Sequence, residues 1–209
     1  MSKRERDRLV DLLTDVGPDQ PTLCEGWTTR DLAAHLVVRE RRPDTGLAFV
    51  VPWLHGYSER VRRQAAAQPW ATLLTTLRAG PPPWSPMAPD RIDRAANTLE
   101  FFVHHEDVRR ADPGWAPRQL DPAEVDELWA MLRTAAAMLY RRSPVGVLLR
   151  RTDGGEARAR TVAGRGTVDL VGEVPELVLH AFGRGTHALV RLDGDPQDVA
   201  ALDATPLGV

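Results

Sequence analysis

The sequence predicts a mainly helical protein with two domains, an antiparallel four-helix bundle over residues 1–142 and a small α/β domain over residues 143–209. Two observations lead to this prediction. Apolar residues recur at helical spacing in four long segments before Pro144, whereas short β-branched segments separated by glycine-rich turns follow it. Four amphipathic helices of this length can close a bundle.

The four long segments have clear beginnings and ends. They span about residues 3–15, 29–39, 89–111 and 122–142. Gly17 stops the first, and Pro122 is suited to the first turn of the last. Thr28, followed three residues later by Asp31, forms a short version of a capping box before the second. Shorter helical segments are expected at 57–67 and 70–78, and a long loop or a short helix between 40 and 54.

The C-terminal segment alternates strands and short helices. Asp153-Gly154-Gly155 and Gly164-Arg165-Gly166 separate three of the strands, and Pro175 opens a helix. The predicted elements are strands at 145–151, 158–162, 167–171 and 187–192, a helix at 176–182 and a helical turn at 197–201.

Composition excludes several classes of protein. The formal net charge is −2 and the isoelectric point is near 6.3, so no basic field favours nucleic acid or an anionic membrane. The single cysteine, Cys24, cannot form an internal disulfide, which fits a reducing compartment. The N-terminal residues are charged with mixed sign and lack the apolar core of a signal peptide. We therefore expect a cytoplasmic protein that binds neither nucleic acid nor a membrane.

Glu100 and His104 are the first candidates for a metal site. They are four residues apart, so their side chains lie on one helix face about 6 Å apart along the axis. Both border the apolar stripe, where an unpaired carboxylate would be very costly. His35, on the inward face of another helix, is an available third ligand. Two histidines and a carboxylate form an open set for a divalent transition metal, although a core histidine with an ordinary hydrogen bond is the alternative from spacing alone.

The residues that follow His104 have less certain roles. On a helical wheel His105 and Glu106 point about 100° and 200° away from it, which predicts that they lie on the solvated face. Asp107 is either an acceptor that fixes an imidazole tautomer or an ion-pair partner of Arg110.

Two motifs resemble a known family. Thr22-Leu23-Cys24-Glu25-Gly26-Trp27-Thr28-Thr29-Arg30-Asp31-Leu32-Ala33-Ala34-His35-Leu36 resembles the N-terminal signature of the mycothiol-dependent maleylpyruvate isomerase family, within the DinB-like (YfiT-like) metal-binding four-helix bundles. Glu100-Phe101-Phe102-Val103-His104 resembles its second metal-binding element. The resemblance implies that His35, Glu100 and His104 bind a divalent metal, usually zinc. The segment Leu177–Arg184 is similar to part of the family's small sterol-carrier-like C-terminal domain.

The resemblance also implies an enzyme. The expected activity is a metal-dependent thiol S-transferase or a maleylpyruvate isomerase-like isomerase, with mycothiol as the thiol cosubstrate and a small electrophile as the substrate. Arg184, between Gly183 and Gly185, is the candidate catalytic residue that would clamp an anionic substrate, unless it is an ordinary arginine at a helix C-terminus. Arg39 is the candidate for cofactor binding at the pocket mouth, unless it is a solvated helix end.

A non-catalytic protein is the alternative. In that case the chain is a metal-binding sensor or structural protein in which Asp107 or His105 closes the coordination sphere. For Cys24 a packing role is favoured over ligation or catalysis, and Trp27 is interpreted as a hydrophobic staple. The resemblance leaves both a monomer and a homodimer open.

Overall fold

The computed structural model describes residues 1–42, 44–45, 55–85, 88 and 90–208. These residues form mainly α-helices with one small four-stranded sheet, which confirms the predicted mainly helical class. The helices are α1 (Ser2–Val16), α2 (Thr29–Arg41), α3 (His55–Ala66), α4 (Trp70–Ala79), α5 (Asp90–Arg109), α6 (Pro122–Leu139), α7 (Val174–Ala181) and α8 (Pro196–Asp203). The strands are β1 (Gly146–Arg151), β2 (Glu156–Arg160), β3 (Thr167–Gly172) and β4 (Arg191–Asp193).

The chain divides into two compact units, Met1–Pro117 and Arg118–Val209. In the first unit α1 packs against α4 and α5, and α2 packs against α3 and α4. A single apolar core joins these helices, with Leu9, Leu13, Leu32, Leu36, Leu73 and Leu77 almost fully buried. This burial is the main source of stability of the unit, because each large apolar side chain removed from water contributes about 1.5–3 kcal/mol.

Local signals in the sequence set the ends of α1 and α2. Gly17 follows α1 with φ of 82°, a conformation that glycine adopts without steric cost. The capping box at α2 is present: Asp31 Oδ2 accepts from the Thr28 backbone N–H at 3.0 Å, and Thr28 Oγ1 accepts from the Asp31 backbone N–H at 3.5 Å. Both elements therefore begin and end within about two residues of their predicted limits.

The second unit contains the sheet, in the order β2-β1-β3-β4. The central pair β1 and β3 is parallel, with Val147 opposite Val168 and Leu149 opposite Leu170, and the two outer pairs are antiparallel. The helix α7 packs against β3 and α6, α8 packs against β3, and α6 also packs against β2. Three helices, α6, α7 and α8, thus pack against the sheet.

Two features differ from the sequence prediction. The predicted strand 187–192 is shorter, because residues 185–187 form a 3-10 helix and the strand covers only Arg191–Asp193. The Glu176 carboxylate accepts from the Leu189 backbone N–H at 2.8 Å, which removes that donor from strand pairing. The helix α6, predicted as the fourth bundle helix, belongs to the second unit, where it packs against α7 and β2.

Most of the predicted loop or short helix between 40 and 54 lies outside the described residues. Within the part of the chain that the structure describes, no helix combines the length and the apolar character needed to cross a membrane.

Candidate metal centre

Two segments of the first unit supply the candidate site. The α5 helix carries Glu100, His104 and Asp107 at positions i, i+4 and i+7, so the three side chains share one face. The α2 helix carries His35 and, one turn later, Arg39. The structure thus brings Glu100 and His104, the predicted pair on one helix, close to His35, the predicted third ligand.

The donor atoms of His35, Glu100 and His104 lie within 4.8 Å of one another. Glu100 Oε1 is 3.2 Å from His35 Nε2 and 3.3 Å from His104 Nε2. Two donors bound to a tetrahedral zinc at about 2.0–2.1 Å are about 3.3 Å apart, so these separations fit a common ion. The chemistry fits as well, since imidazole nitrogen and carboxylate oxygen are normal ligands of zinc and similar cations.

The two histidines differ in their proton affinity. Burial lowers the pKa of His35, and the hydrogen bond with Glu100 offsets this only in part. Burial would also lower the pKa of His104, but its contacts with Asp107, Cys24 and Glu100 outweigh burial and raise that pKa well above the ordinary value. His104 therefore favours its protonated form more strongly than His35 does, and a cation bound at Nε2 of either ring would take the place of a proton there.

Glu100 is the anionic member of the cluster. Burial would raise its pKa, but the hydrogen bonds from His104 and His35 and the charge of Arg39 outweigh burial and hold this pKa well below the ordinary value. The Arg39 Nε atom lies 3.4 Å from Glu100 Oε1, and Arg39 Nη1 donates to Asn97 Oδ1. Arg39 is thus engaged at the site and is not the solvated end of its helix.

Asp107 orients His104. Its Oδ2 atom accepts a hydrogen bond from His104 Nδ1 at 2.9 Å, and its side chain is fully buried. Of the two roles left open by the sequence, the structure shows the first, the contact with the imidazole. When a carboxylate accepts a hydrogen bond from one ring nitrogen of a histidine, it fixes the tautomer in which the other nitrogen is free to bind a metal.

The prediction that His105 and Glu106 lie on the solvated face is wrong. His105 is 6% exposed and Glu106 is fully buried. The reason is that α5 is covered on more than one side: His105 Nδ1 lies 3.3 Å from Glu5 Oε2 on α1, and Glu106 forms ion pairs with Arg109 and Arg110.

Comparison with known proteins adds an independent observation. Residues 2–42 match the family described as the mycothiol maleylpyruvate isomerase N-terminal domain. The predicted family resemblance is confirmed. The matched segment contains the α2 helix and His35. No curated protein matches the chain.

Solved structures resemble the chain over most of its length. A mycothiol-dependent maleylpyruvate isomerase is 16% identical, covers 92% of this chain and 88% of its own, and superposes with a TM-score of 0.59. A histidine-to-alanine mutant with the same description gives the same values. At this identity the likeness shows a shared fold and no more.

Three features of the site were not found by sequence reasoning. Asn97 accepts from Arg39, as described above. Trp27 packs its ring against His35 with ring centres 5.2 Å apart, and Arg62 of α3 lies over the Trp27 ring, 4.9 Å from its centre. Arg62 also pairs with Asp31 and with Glu59. Helical periodicity gives no signal for contacts of this kind, because they join separate segments.

Arg184, the predicted catalytic residue, lies in the second unit. It follows Gly183, whose φ is 80°, and its Nη1 atom donates to the Phe182 carbonyl oxygen at 2.5 Å. This placement fits an arginine at the end of α7, and its role toward a substrate stays a prediction. Nearby, the buried Tyr140 hydroxyl lies 3.0 Å from His180 Nδ1, a pair that the sequence analysis did not identify.

Proposed function

We propose that this chain is a divalent-metal-binding, thiol-dependent isomerase of the maleylpyruvate isomerase type. Mycothiol is the thiol cosubstrate in this proposal, and a small electrophilic acid is the substrate. The family match over residues 2–42 and the fold likeness support the activity. The observation that carries the metal site is that Glu100 Oε1 faces the Nε2 atoms of His35 and His104 at 3.2 and 3.3 Å.

The ligands in this proposal are His35, Glu100 and His104. A divalent cation held by them lowers the pKa of a thiol placed against it and so supplies a thiolate near neutral pH. Three protein ligands leave a position for an exogenous group, which is the arrangement expected of a catalytic site.

The residues around the ligands each have a physical task. Asp107 holds the proton of His104 on Nδ1, so that Nε2 is directed to the ion. Arg39 places a cationic group beside Glu100, where it attracts an anionic thiol or acid. Trp27 covers one side of the His35 ring and keeps water from it. Arg184 is retained as the proposed clamp for the substrate carboxylate.

The non-catalytic alternative needs a fourth protein ligand. The two residues considered for it are otherwise engaged: Asp107 lies on the Nδ1 side of His104, and His105 lies against Glu5. Within the described residues the cluster around Glu100 has three donor residues. The geometry therefore supports the open, catalytic version.

The finer description of the fold belongs to the same proposal. We propose that this chain combines a DinB-like four-helix bundle in its N-terminal part with the sterol-carrier-like C-terminal domain of these isomerases. A cytoplasmic location is part of the same proposal.

The test compares metal content and turnover in matched variants. We expect wild-type protein to bind about one zinc ion per chain, and His35→Ala, Glu100→Gln and His104→Gln to lose most of it. His105→Gln is the control, because it removes the adjacent buried histidine of the same helix and should keep the metal. Zinc-loaded wild type should convert maleylpyruvate only when mycothiol is present. Metal binding without turnover on any thiol and electrophile pair would favour the sensor or structural alternative.

A further inference from the structure

The loop Thr22–Thr28 leads into α2, the helix that carries His35, and contacts α5, the helix that carries His104. The Leu23 backbone N–H donates to the Asp107 carbonyl at 3.0 Å, which fastens the loop to α5. Within the loop, Trp27 N–H donates to the Cys24 carbonyl at 2.9 Å, and Gly26 has φ of 74°, which favours glycine. The loop thus has a defined conformation that fixes the place of Cys24.

Cys24 contacts the same carboxylate oxygen as His104. Its Sγ atom is 3.2 Å from Asp107 Oδ2, which itself is 2.9 Å from His104 Nδ1. A carboxylate can only accept hydrogen bonds, so both the thiol and the imidazole donate to this oxygen. Asp107 is fully buried, so it can change position only if one of these contacts breaks.

We infer that Cys24 is a positioning residue for the proposed metal centre, acting through Asp107 on His104. Its S–H group donates to Asp107 Oδ2 and holds this oxygen in place. The same oxygen accepts from His104 Nδ1 and so keeps a hydrogen on that nitrogen. His104 Nε2 is then the nitrogen that faces the other two candidate ligands. The inference rests on the proposed function, since it assigns a role in metal binding, and it goes beyond the three ligands.

Direct ligation by Cys24 is the competing role. Cys24, His104 and Asp107 also form a group of close donor atoms, but Cys24 lies 3.9 Å from Nδ1 of His104, whereas His35 and Glu100 face Nε2. One ion cannot be bound by both nitrogens of a single ring. An ion held by Nε2 therefore leaves Nδ1 and the Cys24 thiol to the hydrogen bonds with Asp107.

Two Cys24 variants and one loop control distinguish the positioning role from direct ligation. Cys24→Ser keeps a hydrogen-bond donor at this position, and Cys24→Ala removes it. Thr22→Val is the control for loop structure, because Thr22 Oγ1 accepts from the Cys24 backbone N–H at 3.2 Å and contacts the Trp27 carbonyl oxygen at 3.0 Å, both within the loop. The full chain is used for every variant.

The first measurement is the dissociation constant for zinc and cobalt(II), from competition with a chromophoric chelator. Loss of an outer contact to a metal-binding histidine weakens binding by about 10- to 100-fold. We expect a loss of about tenfold for Cys24→Ala and less than about threefold for Cys24→Ser and Thr22→Val. Equal affinity of wild type and Cys24→Ala, or an equal loss in the serine and alanine variants, would overturn the inference. So would a thiolate-to-cobalt absorption band in wild type that is absent from both Cys24 variants, since it would show ligation.

The second measurement distinguishes this inference from the proposed function. Nitrogen-15 NMR of the imidazoles in metal-free protein reports the Nδ1–H of His104. We expect this proton to exchange faster with solvent in Cys24→Ala than in wild type, with protection restored in Cys24→Ser. If wild type binds no metal but this pattern is observed, the proposed function fails while the positioning of His104 by Cys24 and Asp107 stands. An unchanged exchange rate in Cys24→Ala overturns the inference whether or not metal binds.

Discussion

Arg39 Nε lies 3.4 Å from Glu100 Oε1, the oxygen that also faces the Nε2 atoms of His35 and His104. One carboxylate oxygen is therefore shared by a guanidinium and two imidazoles. A cation bound at this point would meet the positive charge of Arg39, so Arg39 does not favour metal binding. It is instead suited to attract an anion that approaches the ion.

Arg39→Gln should separate these two effects. Removal of a like charge a few ångströms from the ion should leave zinc affinity unchanged or increase it by up to about tenfold. The KM for mycothiol or for the acid substrate should rise about tenfold, because the cationic group that attracts an anion is lost. Chelator competition and steady-state kinetics measure the two quantities.

Arg30→Gln is the matched control for that variant. Arg30 is also on α2, but it donates to the Ala66 and Gln68 carbonyl oxygens, both at 3.1 Å, and has no contact with Glu100 among those described. It should change neither zinc affinity nor KM. Weaker zinc binding by Arg39→Gln would contradict the role given to Arg39 and would indicate that it holds Glu100 in place.

Trp27→Leu should weaken the centre by exposing His35. The indole ring packs on the imidazole at 5.2 Å, and leucine leaves part of that ring open to water. We expect zinc to dissociate about three- to tenfold faster, measured by transfer to a coloured chelator. Trp70→Leu is the control, since Trp70 also packs on the core and lies under an arginine, Arg30, 5.6 Å from its ring centre. Equal rates in the two variants would show that the Trp27 contact does not protect His35.

The buried pair Arg6 and Glu40 should matter for stability. Arg6 Nη2 donates to Glu40 Oε1, with side-chain exposures of 7% and 2%. Glu40→Ala removes the carboxylate that faces a buried guanidinium, which typically costs about 3–5 kcal/mol. Asp11→Asn, which alters the exposed pair with Arg78, should cost less than about 0.5 kcal/mol. Urea denaturation of the metal-free protein measures the unfolding free energy of both variants. Similar losses in the two would contradict the expectation that the buried pair matters more than the exposed one.

His180 should make the second unit sensitive to acid. Burial lowers its pKa from about 6.5 to about 4. Below about pH 6.5 the unfolded chain binds a proton that the folded His180 does not accept until about pH 4. This contribution to stability is therefore complete above pH 6.5 and is lost as the pH falls from 6.5 to 4, by about 3 kcal/mol at most.

The variant His180→Gln tests this dependence. Glutamine still offers an acceptor to the Tyr140 hydroxyl, which lies 3.0 Å from His180 Nδ1. We expect the fall in unfolding free energy between pH 6.5 and 4 to become shallower in His180→Gln and to remain steep in His187→Gln. If the pH dependence of the unfolding free energy is the same with and without His180, then this histidine binds its proton equally well in the folded and the unfolded protein, which would contradict the lowered pKa.

The sequence could predict that His35, Glu100 and His104 lie close together, because the information that points to them is local. Glu100 and His104 are one turn apart on a regular helix, and His35 lies in a recognisable motif. The surroundings could not be predicted in this way, since the contacts of Arg62 with Trp27 and of Arg39 with Asn97 join separate helices and loops, whose packing depends on the whole unit. His105 shows the same limit: a helical wheel assumes one buried face, whereas α1 covers a second face of α5.

The packing partners of α6 could not be predicted for a similar reason. Its amphipathic pattern predicts one buried stripe but not the partner that covers it. Leu128 and Leu132 are fully buried, as the pattern requires, yet the helix contacts α7 and β2. Choosing between a bundle and a sheet as the partner requires tertiary packing that periodicity does not encode.

Among the described residues, the candidate donors and the groups shown to contact them come from two short stretches of chain, 22–39 and 97–107, together with Arg62 of α3. Substitutions elsewhere in the first unit can therefore change the space next to the site without altering the residues that are proposed to bind the metal. A descendant of this protein could acquire a different electrophile through changes in its pocket walls while its inorganic chemistry stayed the same.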